Sequence, residues 1–145
     1  MNSIDWKLIL TLAGGISLGF ALQKTGIAGQ VANGILSMCG NDSLMVMIAI
    51  CLTGAVVTEF ISNTAAAVLM FPIMYEAVMA MGCDPYPFTI GLLLAVNSAF
   101  MTPIGTTLNL VVYGPGGYSA TDFLRIGLPV KLAYMATAII ILNFI

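Results

Sequence analysis

Ser62, Asn63 and Thr64 form the most chemically pointed stretch of this chain, because they stand where an apolar sequence should hold nothing polar. With Thr58 and Glu59 they make a polar knot between two apolar runs, Leu44–Val57 and Ala65–Met81. An unpaired polar group in lipid costs several kcal/mol, so such a knot must be buried in protein or face a wet cavity. Ser62 or Asn63 can cap a helix that starts at about Thr64, which leaves its first N–H groups aimed at the gap. Those groups carry roughly half an elementary positive charge and bind anions without any Lys or Arg. A second interruption follows at Thr102-Pro103-Ile104-Gly105-Thr106-Thr107. There Pro103 and Gly105 halt a helix and leave carbonyls and hydroxyls free, which are oxygen ligands suited to a hard cation such as sodium.

Composition narrows the setting in which these groups act. The chain has 145 residues, 60% hydrophobic and 7% charged, with a mean hydropathy of +1.06. Soluble domains carry about 25% charged residues, so an integral membrane protein is expected. The net charge is −2, and no basic patch for nucleic acid is present. There is no histidine, which removes His–Zn sites and His-based triads. Neither Glu59 nor Ser62 has an evident basic partner in the sequence, so an intramembrane enzyme is not expected. Cys39, Cys51 and Cys83 are odd in number and widely spaced, and read as buried free thiols. The first residues show neither a basic region nor a small-x-small cleavage site, so no signal peptide is predicted.

The elements that must position the two polar stretches follow in order. Asp5-Trp6-Lys7 reads as an interfacial start, and Leu8–Leu22 as a helix ending near Lys24 and Gly26. Gly15-x-x-x-Gly19 on that helix is a face for close packing. Ile27–Met38 is too short and polar to span and reads as a connecting helix. Leu44–Phe60 and Thr64–Met81 each run about 17 residues, at the lower edge for a span. Length alone leaves two readings open: a re-entrant hairpin, or two spans joined by a tight turn. Glu59 and Asn63 beside the break, with no Lys or Arg nearby, favour the hairpin, as does Pro72, which should break the second run and kink it. After the aqueous turn Gly82–Pro87 comes Phe88–Met101, about 14 residues and typical of a half-helix. Helix resumes over Leu108–Tyr113, with Asn109 near its start, and Gly114–Tyr118 closes it. Asp122–Arg125 reads as a surface step with an i, i+3 charge pair, and Ile126–Ile145 as the one clean span, entered at Pro129 and Lys131.

Two interrupted apolar segments are the sequence mark of a secondary-transporter binding site. Helix N-termini serve an anion, unwound carbonyls a cation, and Ser62, Asn63, Thr64, Thr106 and Asn109 fix orientation. The alternative is that both breaks are Pro/Gly kinks satisfied by neighbouring helices, in a structural membrane subunit. A third reading is an uncoupled anion channel with Thr102–Thr107 as its filter.

The runs Glu59-Phe60-Ile61-Ser62-Asn63-Thr64-Ala65 and Ala99-Phe100-Met101-Thr102-Pro103-Ile104-Gly105-Thr106, with Asn109, resemble the divalent anion:sodium symporter family. Members carry two inverted repeats, each with one Ser-Asn-Thr hairpin and one unwound helix. The resemblance implies an all-α membrane domain over 1–145, the C-terminal half of the carrier, with a hairpin at 44–81, a broken helix at 87–114 and a last span at 126–145. It implies that Ser62, Asn63, Thr64 and Thr106 contact the anion. It also implies that Thr58, Ile61, Asn63, Gly105 and Asn109 hold sodium, partly through carbonyls. The partners implied are a small divalent anion (sulfate or a di- or tricarboxylate), the N-terminal half, the bilayer of the cell membrane, crossed several times, and a second copy of the whole carrier. Dicarboxylate members often read Thr-Pro-Pro-Asn where this chain has Thr106-Thr107-Leu108-Asn109. The run Asn109–Tyr118 with Thr121–Arg125 looks closer to relatives with soluble RCK domains between their halves, which are associated with sulfate. Lys7, Lys24, Arg125 and Lys131 are too few and too evenly spread to orient the domain.

Overall fold

The computed structural model describes residues 6–40 and 42–143, and all regular structure among them is helical. The helices are α1 (Trp6–Lys24), α2 (Ile27–Cys39), α3 (Ser43–Val57), α4 (Asn63–Met81), α5 (Pro85–Val96), α6 (Thr107–Tyr113) and α7 (Ala120–Leu142). Of the expected interfacial start, Asp5 lies outside the described residues, as do Phe144 and Ile145 of the expected last span.

Local chemistry explains most of the boundaries. Asp42 caps α3 by accepting from the Leu44 N–H at 2.9 Å, and Ser62 caps α4 by accepting from Ala65. Asp84 accepts from Tyr86, with Pro85 in the first helical position, where a missing N–H is harmless. Helix α4 ends in a Schellman motif: Gly82 at φ 68° lets its own N–H reach Met79 and the Cys83 N–H reach Val78. Helix α5 stops at Val96, short of the expected Met101. Asn97 turns its amide onto the Leu93 carbonyl and Ser98 its hydroxyl onto Ala95, and such local bonds compete with helix propagation.

Helix α4 is central and packs against α1, α2 and α5, while α3 and α7 close on α5. Ile50 and Val46 of α3, Met74 and Val78 of α4, and Leu92 and Val96 of α5 are fully buried together. Leu52, Val56, Phe71 and Leu93 of the same helices stay exposed, so these helices are apolar on every side. That is how helices meet lipid or further protein rather than water. Helices α4 and α7 are each long and apolar enough to cross a membrane.

The fold departs from several further expectations. Pro72 does not interrupt α4, which runs on as continuous helix with the proline buried inside it. The last helix starts at Ala120 rather than Ile126, because Ser119 and Asp122 form a capping box and draw the supposed surface step into the helix. Asp122 therefore bonds Ser119, at 2.7 and 2.8 Å, and the expected charge of Arg125 acts on it only as a weaker, secondary partner. Lys131, read as the entry to a span, lies in mid-helix and is buried.

Candidate functional site: two helix breaks in contact

The first break, 58–62, opens where α3 tightens its last turn. Thr58 still bonds Gly54, but Glu59 and Phe60 reach back only three residues, to Val56 and Val57. Ser62 then restarts the chain as the cap of α4. The second break, 97–106, runs in extended and turn conformations until Thr106 caps α6 by accepting from Leu108 at 3.2 Å.

The two breaks touch. Thr58 Oγ1, fully buried, lies 2.6 Å from the Val96 carbonyl oxygen and 2.9 Å from Asn63 Oδ1. Asn63 Nδ2 in turn donates to Asn97 Oδ1 at 3.3 Å. One hydroxyl proton cannot serve both of its neighbouring oxygens at once, so at any moment one of the two lies against the Thr58 oxygen without that proton. Beside it, the Glu59 carboxylate accepts from the Met101 N–H at 3.2 Å and lies 3.0 Å from Thr102 Oγ1. A Cβ on Gly105 would stand 2.9 Å from Thr102 Oγ1 and 3.0 Å from Ala99 Cβ, which explains a glycine at this close approach. Asn109 closes the loop from α6, donating to the Ala99 and Thr102 carbonyls, each at 2.9 Å.

A cation completes the arrangement. Lys131 Nζ lies 2.6 Å from Glu59 Oε1, with the two side chains 8% and 6% exposed, and donates to the Ala55 carbonyl at 2.5 Å. This corrects the reading that Glu59 has no basic neighbour. The same helix passes over the second break at Gly127, where a Cβ would collide with the Phe100 carbonyl, and Phe100 packs edge-on against Tyr134 at 5.7 Å.

The expected site residues fall into two groups. Thr58 and Asn63 share the oxygen cluster; Gly105 and Asn109 belong to the neighbouring knot around Glu59 and Thr102. Ser62, Asn63 and Thr64 lie consecutively where α4 begins, with Thr64 exposed, while Ile61 is exposed in the turn before them. Thr106 lies apart from them in sequence, at the start of α6, and is half-buried. Ser62 and Thr106 accept with their oxygens in capping, and each keeps a hydroxyl proton to donate. Sequence reasoning gave no site role to Asn97 or Lys131, and named Thr102 only as part of the second break. Lys131 left only a weak signal: ionisable groups within apolar helices are nearly always paired, but nothing in the sequence alone joins it to Glu59. A cleft of about 840 Å³ lies between α6 and α7, with Asn109, Phe100 and Phe123 on its walls, and a smaller one of about 260 Å³ includes Thr64.

Broken helices whose polar turns meet inside an apolar bundle are the arrangement that membrane transport domains use. Residues 1–145 match the family model described as citrate transporter, and the chain belongs to that family. It is 39% identical over 143 residues to the uncharacterized transporter YfbS of Escherichia coli, covering 97% of this chain and 23% of YfbS. It is 34% identical over 146 residues to the probable sodium/sulfate cotransporter 3 of Chlamydomonas reinhardtii, covering 99% of this chain and 16% of that protein. It is 27% identical over 144 residues to the sodium-dependent dicarboxylate transporter SdcS of Staphylococcus aureus, covering 99% of this chain and 28% of SdcS. The chain thus spans no more than 28% of the length of these curated relatives.

Proposed function

We propose that this chain forms one half of a sodium-coupled carrier for a divalent anion, acting in a multi-pass protein of the cell membrane. The observation that carries the reading is the contact of the two breaks through Thr58, Asn63, Val96 and Asn97. The two oxygens that compete for the single Thr58 proton suit a hard, singly charged cation, which would take the lone pair that the proton cannot serve. Sodium is cargo here, held by Thr58 and Asn63 with carbonyl oxygens from Ile61 and the segment around Gly105. Asn109 secures that segment. The anion meets the start of α4, where the N–H groups beyond Ser62 and the side chains of Ser62, Asn63 and Thr64 supply partial positive charge and donors. Thr106 adds a donor from the second break. Coupling follows from the shared residue, because ordering Asn63 around sodium also orders one side of the anion site.

Sulfate is favoured over a dicarboxylate. The relatives named for sulfate share more identity with this chain than those named for dicarboxylates, and Thr107-Leu108 departs from the two prolines that dicarboxylate members of the symporter family it resembles often carry. The hairpin at 44–81 is read as re-entrant, and a homologous N-terminal half is read as supplying the opposing Ser-Asn-Thr tip. A dimer of whole carriers completes the assembly. The test is uptake of labelled sulfate into proteoliposomes by the assembled carrier under an inward sodium gradient. Sodium-dependent uptake is expected, weakened about tenfold to a hundredfold in affinity for both ions by Asn63→Ala. Passive uptake indifferent to sodium would favour a channel instead.

A further inference from the structure

Charge is placed with great economy around the two breaks. From Ser43 to Tyr75 the only charged side chain is Glu59; from Pro85 to Thr121 there is none; from Ile126 to Ile145 the only one is Lys131. These two find each other at 2.6 Å, both nearly buried. The Glu59 carboxylate also faces the unwound segment directly, through the Met101 N–H, the Thr102 hydroxyl and the close approach of Gly105. An unpaired carboxylate in that position would project its full field onto the oxygens of the break, in a medium that screens poorly. With the ammonium beside it, that field is largely cancelled.

We propose that Lys131 is a resident counter-charge for Glu59, which keeps the joined breaks electrically neutral so that the transported anion, and not the protein, balances the charge of sodium. Glu59 and Lys131 are thus positioning residues that set the charge of the site without binding either ion. The inference rests on the sodium-coupled reading given above and supplies its reason: on a neutral site each ion binds poorly alone and improves the binding of the other.

The experiment measures sodium binding without sulfate, and sulfate binding at saturating sodium, by calorimetry on the purified assembled carrier. Lys131→Met leaves the carboxylate uncancelled. Sodium affinity without sulfate should rise about tenfold or more, and sulfate affinity should fall comparably. Glu59→Gln leaves the ammonium uncancelled and should invert both signs. The double variant Glu59→Gln/Lys131→Met should return both affinities to within about threefold of the unmutated carrier. If the single variants lower both affinities together, the pair is only a brace and the proposal is overturned. If neither single variant folds, the neutral double variant decides: near-normal affinities support the proposal and loss of both overturns it. An unmutated carrier whose sulfate affinity ignores sodium would remove the coupled reading itself, an outcome separate from same-sign effects in a carrier that is coupled.

Discussion

The hydroxyl of Thr58 and the carbonyl of Val96 lie 2.6 Å apart, joining residues 38 positions distant in sequence and fastening one helix break to the other. Val96 ends α5, so its carbonyl has no helical partner further along the chain. Thr58 fills that need and fixes the distance between the two polar turns at the same time. A local vacancy in one helix thus becomes the joint on which the candidate site is built.

Thr58→Val keeps the shape of the side chain and removes the joint. The buried Val96 carbonyl then lacks its donor, at a cost of about 1–3 kcal/mol. The detergent-solubilised carrier should melt at a lower temperature, while Thr58→Ser, which keeps the hydroxyl, should melt close to the unmutated protein. A Thr58→Val variant with unchanged melting would show that the breaks are held together by packing alone.

The start of α4 tests the re-entrant reading. With Cys39, Cys51 and Cys83 replaced, a cysteine at exposed Thr64 should react with a membrane-impermeant thiol reagent, because a wet cavity admits both water and reagent. A cysteine at Met70, buried further along the same helix, should stay inert. An inert Thr64 position would place this helix start in lipid or protein, and the anion site with it would be lost.

How much of this was legible before the fold was known depends on whether a signal is local. Ser62 marks a helix start by the chemistry of its own side chain, and the expected start at Thr64 is one residue from that found. Asp84 and Pro85, read as part of an aqueous turn, instead open α5 three residues before the expected Phe88. Thr58, Asn63 and Thr102–Thr107 stand out because they are polar in apolar runs. Lys131 could not be placed in the same way: a lone lysine near the start of an apolar run looks identical whether it faces headgroups or a carboxylate 72 residues away. Asn97 was visible as an amide, but its role exists only because the turn at Asn63 comes to meet it. Gly15 and Gly19 of α1 were read as a close-packing face, but the sequence did not say which helix would meet it. Helix α4 does, with Val68 3.1 Å from where a Cβ on Gly15 would stand and Pro72 3.7 Å from that of Gly19.

Gly127 offers a test in which the usual sign reverses. Replacing glycine by alanine inside a helix ordinarily stabilises it by about 1 kcal/mol. Here the new Cβ would collide with the backbone carbonyl of Phe100, which no rotamer change can relieve. Gly127→Ala should therefore lower the melting temperature of the carrier and weaken sodium-dependent uptake, as α7 is pushed off the second break. Gly29 on α2, with open space around its position, serves as the control, and Gly29→Ala should be neutral or stabilising.

Asn109 separates two roles that the same residue type can play. As a sodium ligand it would act through its oxygen, and an aspartate in its place would keep that oxygen and add negative charge, raising sodium affinity. In the structure its nitrogen is engaged, donating to the carbonyls of Ala99 and Thr102 from the first turn of α6. Aspartate has no such donor, and its carboxylate would face two carbonyl oxygens at hydrogen-bond distance with nothing between them. Asn109→Asp should then be at least as damaging as Asn109→Ala, each releasing the unwound segment and costing about 1–3 kcal/mol in stability. Glutamine, longer by one methylene, should restore part of the loss. Calorimetric sodium titrations and melting curves on the three variants decide it. If Asn109→Asp binds sodium more tightly than the unmutated carrier, the side chain is a ligand first, and its two carbonyl contacts are secondary.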